Sequence, residues 1–486
     1  MKKLALVVGV ALLALAAVVV GRAVRAASRQ VQVEPAPPVV IDAERAAAGL
    51  SEAIRFKTVS NQDPAQFDAA QFAGLLAFLI QRFPRVHQTL RREVFNDYSL
   101  LYTWEGRGTD KPILLLAHLD VVPVEAGTES SWTQPPFSGA IVDGYIWGRG
   151  ALDDKSSAMG ILEAVEFLLA SGFQPERTVY IALGFDEEVS GRRGAGAISA
   201  ALRERGLQAD FVLDEGGSIL EGMIPGIGTP VASVCTGEKG YVTVELTTTG
   251  KGGHSSMPPA HTPIGVLSAA IEKLEREQMP ASISAATANS FAYLGPEMPF
   301  AQRVVFANLW LFAPLVEREM AKSPQSNAAI RTTTAPTIFD GGVKENILPT
   351  TARAVVNFRI LPGDTVDSVV AHVLHAVDDP AVDIRVLGEG NNPSPVSDPS
   401  APAFTRVARA IRSTFPGTVV TPFLTLGATD ARYYVGISPN VYRFAPTRMR
   451  PDDLARVHGI NERIAITDYV GMIRFYIDLL RGGQAG

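Results

Sequence analysis

The sequence predicts an α/β fold whose mixed sheet is interrupted by a smaller α+β domain, and three observations support this. From Ala43 to residue 238, apolar strand-like runs alternate with helical patterns, as in a sheet covered by helices. Near Gly237 the chain changes to β-branched segments with a period of two, such as 239–249 and 350–363, which is typical of exposed antiparallel strands. From Asn392 the first pattern resumes.

The elements follow from these patterns. Main-domain strands are expected at "KPILLLAHLDVV", "RTVYIALGFDEE" and "ADFVLDEGG", with helices at 156–170, 196–205 and 402–415 and from Asp468 onward. In the inserted part, strand-like segments alternate with helices at 263–278 and 366–377. This order predicts a ferredoxin-like β-α-β…β-α-β unit. Residues 280–335 are predicted to be a mainly helical excursion within it.

Five segments are therefore expected along the chain. They are an N-terminal anchor or signal (1–25), a linker (26–42), the first part of the main domain (43–238), the inserted domain (239–390) and the second part of the main domain (391–486).

Composition describes a globular protein. Of the 486 residues, 47% are hydrophobic and 19% charged, which is enough apolar material for more than one core. The net charge of −6 and the lack of a basic stripe argue against nucleic acid as a partner. The single cysteine, Cys235, excludes an intramolecular disulfide framework and a cysteine-rich zinc site. It is expected to be a buried apolar residue.

The N-terminus predicts export or membrane attachment. Lys2 and Lys3 precede an apolar run from Leu4 to Val20, and Arg22 and Arg25 follow it. This run is long for a signal peptide and just long enough to span a bilayer. An uncleaved anchor is favoured over a cleaved signal, because no clear small-residue cleavage site follows. The rest of the chain is expected outside the cytoplasm, although basic residues on both flanks leave the orientation open.

One predicted strand carries two ionisable side chains. In "PILLLAHLDVVPV", His118 and Asp120 are two residues apart and so share a face of the strand. Burying them without partners would cost several kcal/mol. A cation bound by His118, with Asp120 holding the imidazole, would satisfy both groups.

Further acidic and imidazole groups follow other predicted strands and loops. Each motif alone is weak, but two histidines and at least three carboxylates without a thiolate form a ligand set for Zn²⁺, with Co²⁺ or Mn²⁺ as alternatives. Sites that bind two such ions share a carboxylate and activate a common water. These groups are Asp153 in "GRGALDDK", Glu187 and Glu188 in "FDEE", Asp214 and Glu215 in "LDEGG", and His458 in "RVHGINE".

Here the motifs carry a resemblance. The ordered set "AHLDVVP", "GRGALDDKSS", "FDEEVSG", "LDEGG", "KGGHSSMP" and "HGINERI" resembles the M20 family of dinuclear zinc peptidases and amidohydrolases, from about residue 45 to the end. Within it the chain looks most like the carboxypeptidase S and N-fatty-acyl-amino-acid synthase/hydrolase branch. The resemblance implies a zinc-peptidase catalytic domain with an inserted lid or dimerisation domain, and two Zn²⁺ per subunit.

The resemblance also implies roles for the metal ligands. His118, Asp153 and Asp214 would bind one zinc, and Asp153, Glu188 and His458 the other, with Asp153 bridging and followed by a cis peptide to Asp154. At the fifth position Glu215 is the alternative to Asp214.

Catalytic and substrate-binding roles follow from the same resemblance. Asp120 and Glu187 would be catalytic, with Glu187 as the general base for a metal-bridging hydroxide. For Glu187 and Glu188 to share a site, the strand must end before them, and Gly191 fits a turn there. His254 would stabilise the oxyanion, often from a dimer partner, and Arg359 would bind the substrate carboxylate. No role follows for Asp430 and Arg432 in "GATDARYY".

The expected activity is cleavage of a C-terminal amino acid from a small peptide or an N-acyl amino acid. A dipeptidase or aminopeptidase of the same family is the nearest alternative, and a non-catalytic binding protein on the same scaffold is a more distant one. A serine hydrolase is excluded, because "GHSSM" lacks the last glycine of the nucleophile motif. His87, His261, His372 and His375 are expected to have no role in the site.

Overall fold

The computed structural model describes residues 1–37 and 39–482 of the chain. The α-helices are α1 (Lys2–Arg25), α2 (Ala43–Arg55), α3 (Ala69–Arg82), α4 (Pro84–Thr89), α5 (Lys155–Ala170), α6 (Ala195–Glu204), α7 (Pro263–Arg276), α8 (Ala285–Leu294), α9 (Phe300–Phe306), α10 (Leu309–Met320), α11 (Pro324–Ala328), α12 (Val366–Val377), α13 (Pro402–Thr414) and α14 (Ile466–Leu480).

The β-strands of the main and inserted domains lie between these helices along the chain. They are β1 (Arg91–Phe95), β2 (Ser99–Trp104), β3 (Ile113–His118), β4 (Ile141–Val142), β5 (Tyr145–Trp147), β6 (Val179–Gly184), β7 (Phe211–Asp214), β8 (Ile219–Leu220), β9 (Val231–Glu238), β10 (Gly240–Thr249), β11 (Gly253–His254), β12 (Thr333–Gly341), β13 (Ile347–Leu348), β14 (Thr351–Ile360), β15 (Val382–Asn391), β16 (Val419–Thr425), β17 (Val441–Arg443), β18 (Arg448–Met449) and β19 (Arg463–Ala465).

The main domain is built on a mixed sheet with the order β1-β2-β6-β3-β7-β17-β9-β8-β18, and β16 pairs with β9. Its centre is parallel: β3 pairs with β6 on one side and β7 on the other. The edge pair β1–β2 is antiparallel, as is β2 with β6. The carboxyl ends of the three central parallel strands therefore lie together, as expected for a site on an open α/β sheet.

Helices cover both faces of this sheet. On one face α2, α5, α13 and α14 pack together over the largest apolar cluster. Helix α5 is buried along nearly its whole length, because it lies between the sheet and α14. On the other face α6 and the segment Asp430–Tyr434 cover a smaller cluster. The strands at the centre of the sheet are thus buried on both sides.

The inserted domain has the predicted ferredoxin-like arrangement. Its four-stranded antiparallel sheet has the order β12-β14-β10-β15. Helices α7 and α12 pack on this sheet around a separate apolar core. Helix α12 coincides with the predicted range 366–377, and α7 ends two residues before its predicted end at residue 278. The remaining predicted helices are found within two residues at either end.

Residues 280–335 contain helices α8 to α11, as predicted. These helices also contact the main domain. Ser290 Oγ donates to the carbonyl of Pro422 at 2.6 Å, and Tyr293 Oη donates to the carbonyl of Pro399 at 2.9 Å. The helical excursion therefore packs against β16 and its surroundings.

The predicted linker 26–42 carries no helix or strand among its described residues, yet it is attached to the main domain. Gln30 pairs with the Val420 backbone: its Oε1 accepts from the N–H at 2.7 Å and its Nε2 donates to the carbonyl at 2.9 Å. Val31, Val39 and Ile41 pack against the main core.

Helix α1 is long and apolar enough to cross a membrane, and only 6% of its most apolar window is buried. Its buried residues are Val19 and Ala23, which lie where α1 meets α9.

Candidate metal centre

The site begins at the end of β3, with His118 buried between two carboxylates. Its Nε2 lies 2.9 Å from Asp153 Oδ1, and its Nδ1 lies 3.0 Å from the Asp120 carbonyl oxygen and 3.3 Å from Asp120 Oδ1. Asp120 thus holds Nδ1 of the ring, so that Nε2 faces Asp153. This fixed orientation is what a ligating histidine requires.

Asp153 joins two groups of side chains. One contains His118, Asp153 and Glu215, and the other Asp153, Glu188 and His458. In each, the candidate ligand atoms lie within 4.8 Å of one another. The two Asp153 oxygens divide between the groups, since Oδ1 faces His118 and Oδ2 lies 3.0 Å from His458 Nε2. The peptide bond from Asp153 to Asp154 is cis, as predicted.

The turn after β6 brings Glu187 and Glu188 to the same place. The strand ends at Gly184, and a single turn of 3₁₀-helix spans Glu187–Val189. The two Asp120 oxygens accept the backbone N–H groups of Glu187 and Glu188, at 3.2 and 3.1 Å. One aspartate therefore fixes both the histidine and the acidic turn, and the predicted break in the strand is present.

Gly191 closes this turn with φ +63°, in the left-handed region that glycine enters at low cost. A side chain at this position would collide with the Asp430 carboxylate. Arg432 Nη2 donates to the Ser190 carbonyl at 2.7 Å. The segment "GATDARYY", whose role the sequence left open, thus supports the acidic turn.

Asp214 and Glu215, the two candidates for the fifth ligand, have different surroundings in the structure. Both Asp214 oxygens accept backbone N–H groups, from Glu215 at 3.0 Å and from Ala431 at 2.7 Å. Glu215, and not Asp214, lies in the group with His118 and Asp153. Because β7 ends at Asp214, the next side chain can turn toward the same centre.

A buried ion pair that the sequence reasoning missed holds the Asp153 loop. Arg149 Nη1 lies 2.6 Å from Glu462 Oε2, and both side chains are almost fully buried. Glu462 Oε1 accepts the backbone N–H groups of Gly150, Leu152 and Asp153, at 2.9, 2.8 and 3.2 Å.

The same pair reaches the loop that carries His458. Arg149 Nη2 donates to the His458 carbonyl at 3.1 Å. The antiparallel pairing of β19 with β5 joins the two loops further along. The glutamate four residues after the histidine in "HGINE" is the signal that could have identified this contact.

The charges of the site are coupled. Contacts with Asp153 and Glu188 raise the pKa of His458 to about 10. Burial lowers the pKa of His118, but its contacts with Asp120 and Asp153 outweigh burial and raise this pKa well above its usual value. Burial raises the pKa values of Glu187 and Glu215 well above their ordinary range. Burial thus disfavours the charged forms of these carboxylates unless nearby positive charge stabilises them.

The residues fit divalent metal ions. Within the described part of the chain, the buried Glu188 Oε1 has no hydrogen-bond partner, and His458 Nε2 lies 3.4 Å away. Carboxylate and imidazole groups of this kind, without sulfur, suit Zn²⁺ and similar ions. A cleft of about 490 Å³ lies beside Glu188 and is also lined by Ser60, Asn61 and Gln62.

Two predicted site residues lie on the inserted domain and make no described contact with this centre. His254 is exposed on β11, where its Nδ1 is 2.8 Å from Ser256 Oγ. Arg359 lies on β14 with its guanidinium 5.9 Å from the centre of the Tyr241 ring. His87, for which no role in the site is expected, lies in the main domain, where its Nε2 is 3.0 Å from Tyr102 Oη.

Clustered carboxylates and imidazoles at the carboxyl edge of an α/β sheet are typical of metal-dependent hydrolases. The model of the peptidase family M20/M25/M40 matches residues 114–482. The chain belongs to this family, as the sequence motifs predicted.

Relatives of known name cover most of the chain. It is 40% identical to a probable carboxypeptidase S-like protein of Dictyostelium discoideum, over 95% of this chain and 90% of that protein. It is 42% identical to the N-fatty-acyl-amino acid synthase/hydrolase PM20D1 of Xenopus tropicalis, over 90% and 85%. Carboxypeptidase S of Saccharomyces cerevisiae is 34% identical, over 89% and 83%. The chain is accordingly an enzyme of the metallopeptidase and amidohydrolase type.

Solved structures share the fold. An M20 family metallo-carboxypeptidase from Sulfolobus solfataricus matches with a TM-score of 0.66 and 20% identity, over 91% of this chain and 99% of that one. Human carnosine dipeptidase 1 matches with a TM-score of 0.64 and 15% identity, over 91% and 96%. This confirms the predicted architecture.

We predict that Glu462→Gln destabilises the metal-free protein, because Arg149 loses the charge that balances it in a buried site. Removal of one partner of such a pair costs about 3–5 kcal/mol, measurable by urea denaturation. Glu52→Gln is the control: its pair with Arg55 is exposed, and such pairs contribute about 0.2–1 kcal/mol. Equal unfolding free energies for the two variants would contradict the proposed role of Glu462.

Metal binding is expected to release protons. His458 has a pKa of about 10 in the metal-free fold and 6.5 as a free side chain, so it is protonated throughout that range. Its ion pairs stabilise the metal-free fold fully below pH 6.5, and this stabilisation is lost as the pH rises through about 10. A metal requires the neutral imidazole, so its affinity should rise with pH in this window.

Calorimetric titration of Zn²⁺ in two buffers of different ionisation enthalpy checks this, with release of at least one proton expected. Exposed His375 lies on α12, so His375→Gln should leave the proton count unchanged. A binding enthalpy that does not depend on the buffer would show the prediction to be wrong.

Proposed function

We propose that the chain is a zinc-dependent hydrolase that removes a C-terminal amino acid from a small peptide or from an N-acyl amino acid. The observation that carries this proposal is the position of Asp153, whose two oxygens face two different groups of candidate ligands. A shared carboxylate of this kind suits a site for two ions. In this proposal His118, Asp153 and Glu215 bind one Zn²⁺, and Asp153, Glu188 and His458 the other.

The ions, when bound, lower the pKa of water and polarise the scissile carbonyl. The protein's residues supply the remaining steps. Glu187 is the general base, which accepts a proton at its carboxylate and gives it to the leaving nitrogen. Burial favours this role, because it raises the pKa of Glu187 and so makes its carboxylate a stronger base. Asp120 keeps His118 and the acidic turn in place throughout.

The substrate class rests on the relatives. Two of them are named carboxypeptidases of the S type, and another is named an N-fatty-acyl-amino acid synthase/hydrolase. In both classes the substrate carries a free carboxylate next to the scissile amide. In our proposal Arg359 binds that carboxylate, for which a guanidinium offers two parallel hydrogen bonds, and His254 donates to the developing oxyanion. Exposed His254 is available to a substrate under the lid or to a second copy in a homodimer.

Membrane attachment completes the proposal. Helix α1 would act as an uncleaved anchor, and the catalytic domain would lie outside the cytoplasm. The support is the length and apolar composition of α1, together with its exposure in the folded chain.

The substrate class is tested with blocked and unblocked compounds. We expect the zinc-loaded protein to hydrolyse an N-acyl amino acid and an N-blocked dipeptide, because neither needs a free amine to bind. Product formation is measured by mass spectrometry. Hydrolysis restricted to dipeptides with a free amine would favour a dipeptidase or aminopeptidase, and no turnover of any of them would argue for a binding protein.

Glu187→Gln should keep its zinc and lose turnover, because the amide cannot accept the proton. General base catalysis contributes roughly 10²–10⁴-fold, so kcat should fall by about this factor. Zinc content is checked by elemental analysis. Glu345→Gln, a fully exposed carboxylate of the inserted domain, is the control. Unchanged turnover in Glu187→Gln would remove Glu187 from its role.

Glu215→Gln and Asp214→Asn form a matched pair for the fifth ligand. Glu215→Gln should weaken zinc binding, because it removes a charged oxygen from the group around Asp153. Asp214→Asn should lower the free energy of unfolding and keep the zinc, because an amide cannot accept both backbone N–H groups. Zinc retained after dialysis against a chelator and urea denaturation separate the two effects. The reverse pattern would restore Asp214 as the ligand.

A further inference from the structure

Helix α1 is held against the helical excursion of the inserted domain. Asn308 Nδ2 donates to the Val19 carbonyl at 2.9 Å, and Arg22 Nε donates to the Ala307 carbonyl at 3.2 Å. Asn308 is fully buried at this contact. Since α8 packs in turn on β16, the apolar helix is connected through α9 to the catalytic domain.

The contact lies at the end of the apolar stretch of α1. Seventeen residues from Leu4 to Val20 rise about 26 Å as a helix, and the hydrocarbon core of a bilayer is about 30 Å thick. Val19 would therefore lie at the hydrocarbon boundary, with Arg22 in the headgroup region. The α9–α10 corner that contacts Val19 lies at the same level.

Large apolar residues are exposed on both helices that meet at this corner. Trp310, Leu311 and Leu315 are exposed on α10, and Phe300 is exposed at the start of α9. Trp310, Leu311, Pro314 and Leu315 are spaced so that they share one face of α10. Trp310 is also tied to the α1 contact, because its Nε1 donates to Asn308 Oδ1 at 3.2 Å. Exposed apolar residues that are grouped on one helix face are a candidate binding surface.

We propose that this apolar surface of α9 and α10 (Phe300, Trp310, Leu311 and Leu315) is immersed in the bilayer that α1 spans. The inference rests on the membrane anchoring proposed above and extends it to the inserted domain. Tryptophan is enriched at the boundary between lipid and water, and an amphipathic helix lies in that plane with its apolar face buried. Apolar side chains beside the short span of α1 would also reduce its mismatch with the bilayer.

The tryptophans provide a direct test. Of the four in the chain, Trp310 is 56% exposed, whereas Trp104, Trp132 and Trp147 are 3%, 7% and 5% exposed. The full chain is reconstituted into vesicles of dibrominated phosphatidylcholine, whose bromine atoms quench fluorescence within the hydrocarbon. The Trp310 signal is the difference between the wild type and Trp310→Phe. We expect this signal to lose at least half of its intensity, and to be shielded from acrylamide in the water.

A second pair of variants tests the surface itself. Leu311→Glu with Leu315→Glu should move Trp310 out of reach of the lipid quencher while α1 stays inserted. Ile80→Glu with Val94→Glu is the control, since both residues are exposed apolar residues of α3 and β1. This control should leave the quenching unchanged.

Each result bears on a separate claim. Protein that floats with the vesicles but keeps Trp310 open to acrylamide overturns the lipid contact alone. Trp310 shielded from both quenchers also overturns it, because a second protein copy would then cover the surface. Failure to float overturns the contact and the anchoring together. Loss of hydrolysis bears only on the proposed activity.

Discussion

The site depends on confining several carboxylates within a few ångströms of Asp153. Such a group is unstable unless positive charge balances it, and the fold offers two ways to do so. Without metal, His118 and His458 take up protons and pair with Asp153 on its two sides. In the proposed metal-bound state, the same imidazoles would be neutral ligands. In this proposal, metal binding and protonation compete for one set of atoms.

The ends of the central strands position the residues of the site. Three parallel strands finish at one edge of the sheet, so the residues that follow them meet there without long loops. In the structure, three carboxylates accept backbone N–H groups of the segments that meet there. Asp120 holds the turn of Glu188, Asp214 holds the backbone of Glu215, and Glu462 holds the loop of Asp153. Some acidic residues of the site thus hold backbone N–H groups, while Asp153, Glu188 and Glu215 lie in the groups that could bind a metal.

The sequence predicted the order of elements and the family well, because periodicity and motif spacing are local properties. The break in the strand before Glu187 could also be predicted, since two adjacent side chains cannot share one face of a strand. The choice between Asp214 and Glu215 could not, because it depends on which carboxylate the backbone N–H of Ala431 reaches from a segment more than two hundred residues away. The pair of Arg149 and Glu462 was missed for the same reason: only folding brings its partners together.

The proposed hydrolysis of N-acyl amino acids and the proposed lipid contact of α9 and α10 have a common physical basis. A fatty acyl chain gains about 0.8 kcal/mol for each CH₂ group that enters a bilayer, so a long-chain N-acyl amino acid is found mostly at the membrane and a short peptide mostly in water. A hydrolase tied to the bilayer by α1 alone would be held near such a substrate but not oriented toward it. Because Asn308 connects α1 to the excursion, and the excursion packs on the catalytic domain, a second contact through α10 would fix that orientation. The helical excursion would then set how the cleft beside Glu188 faces the lipid.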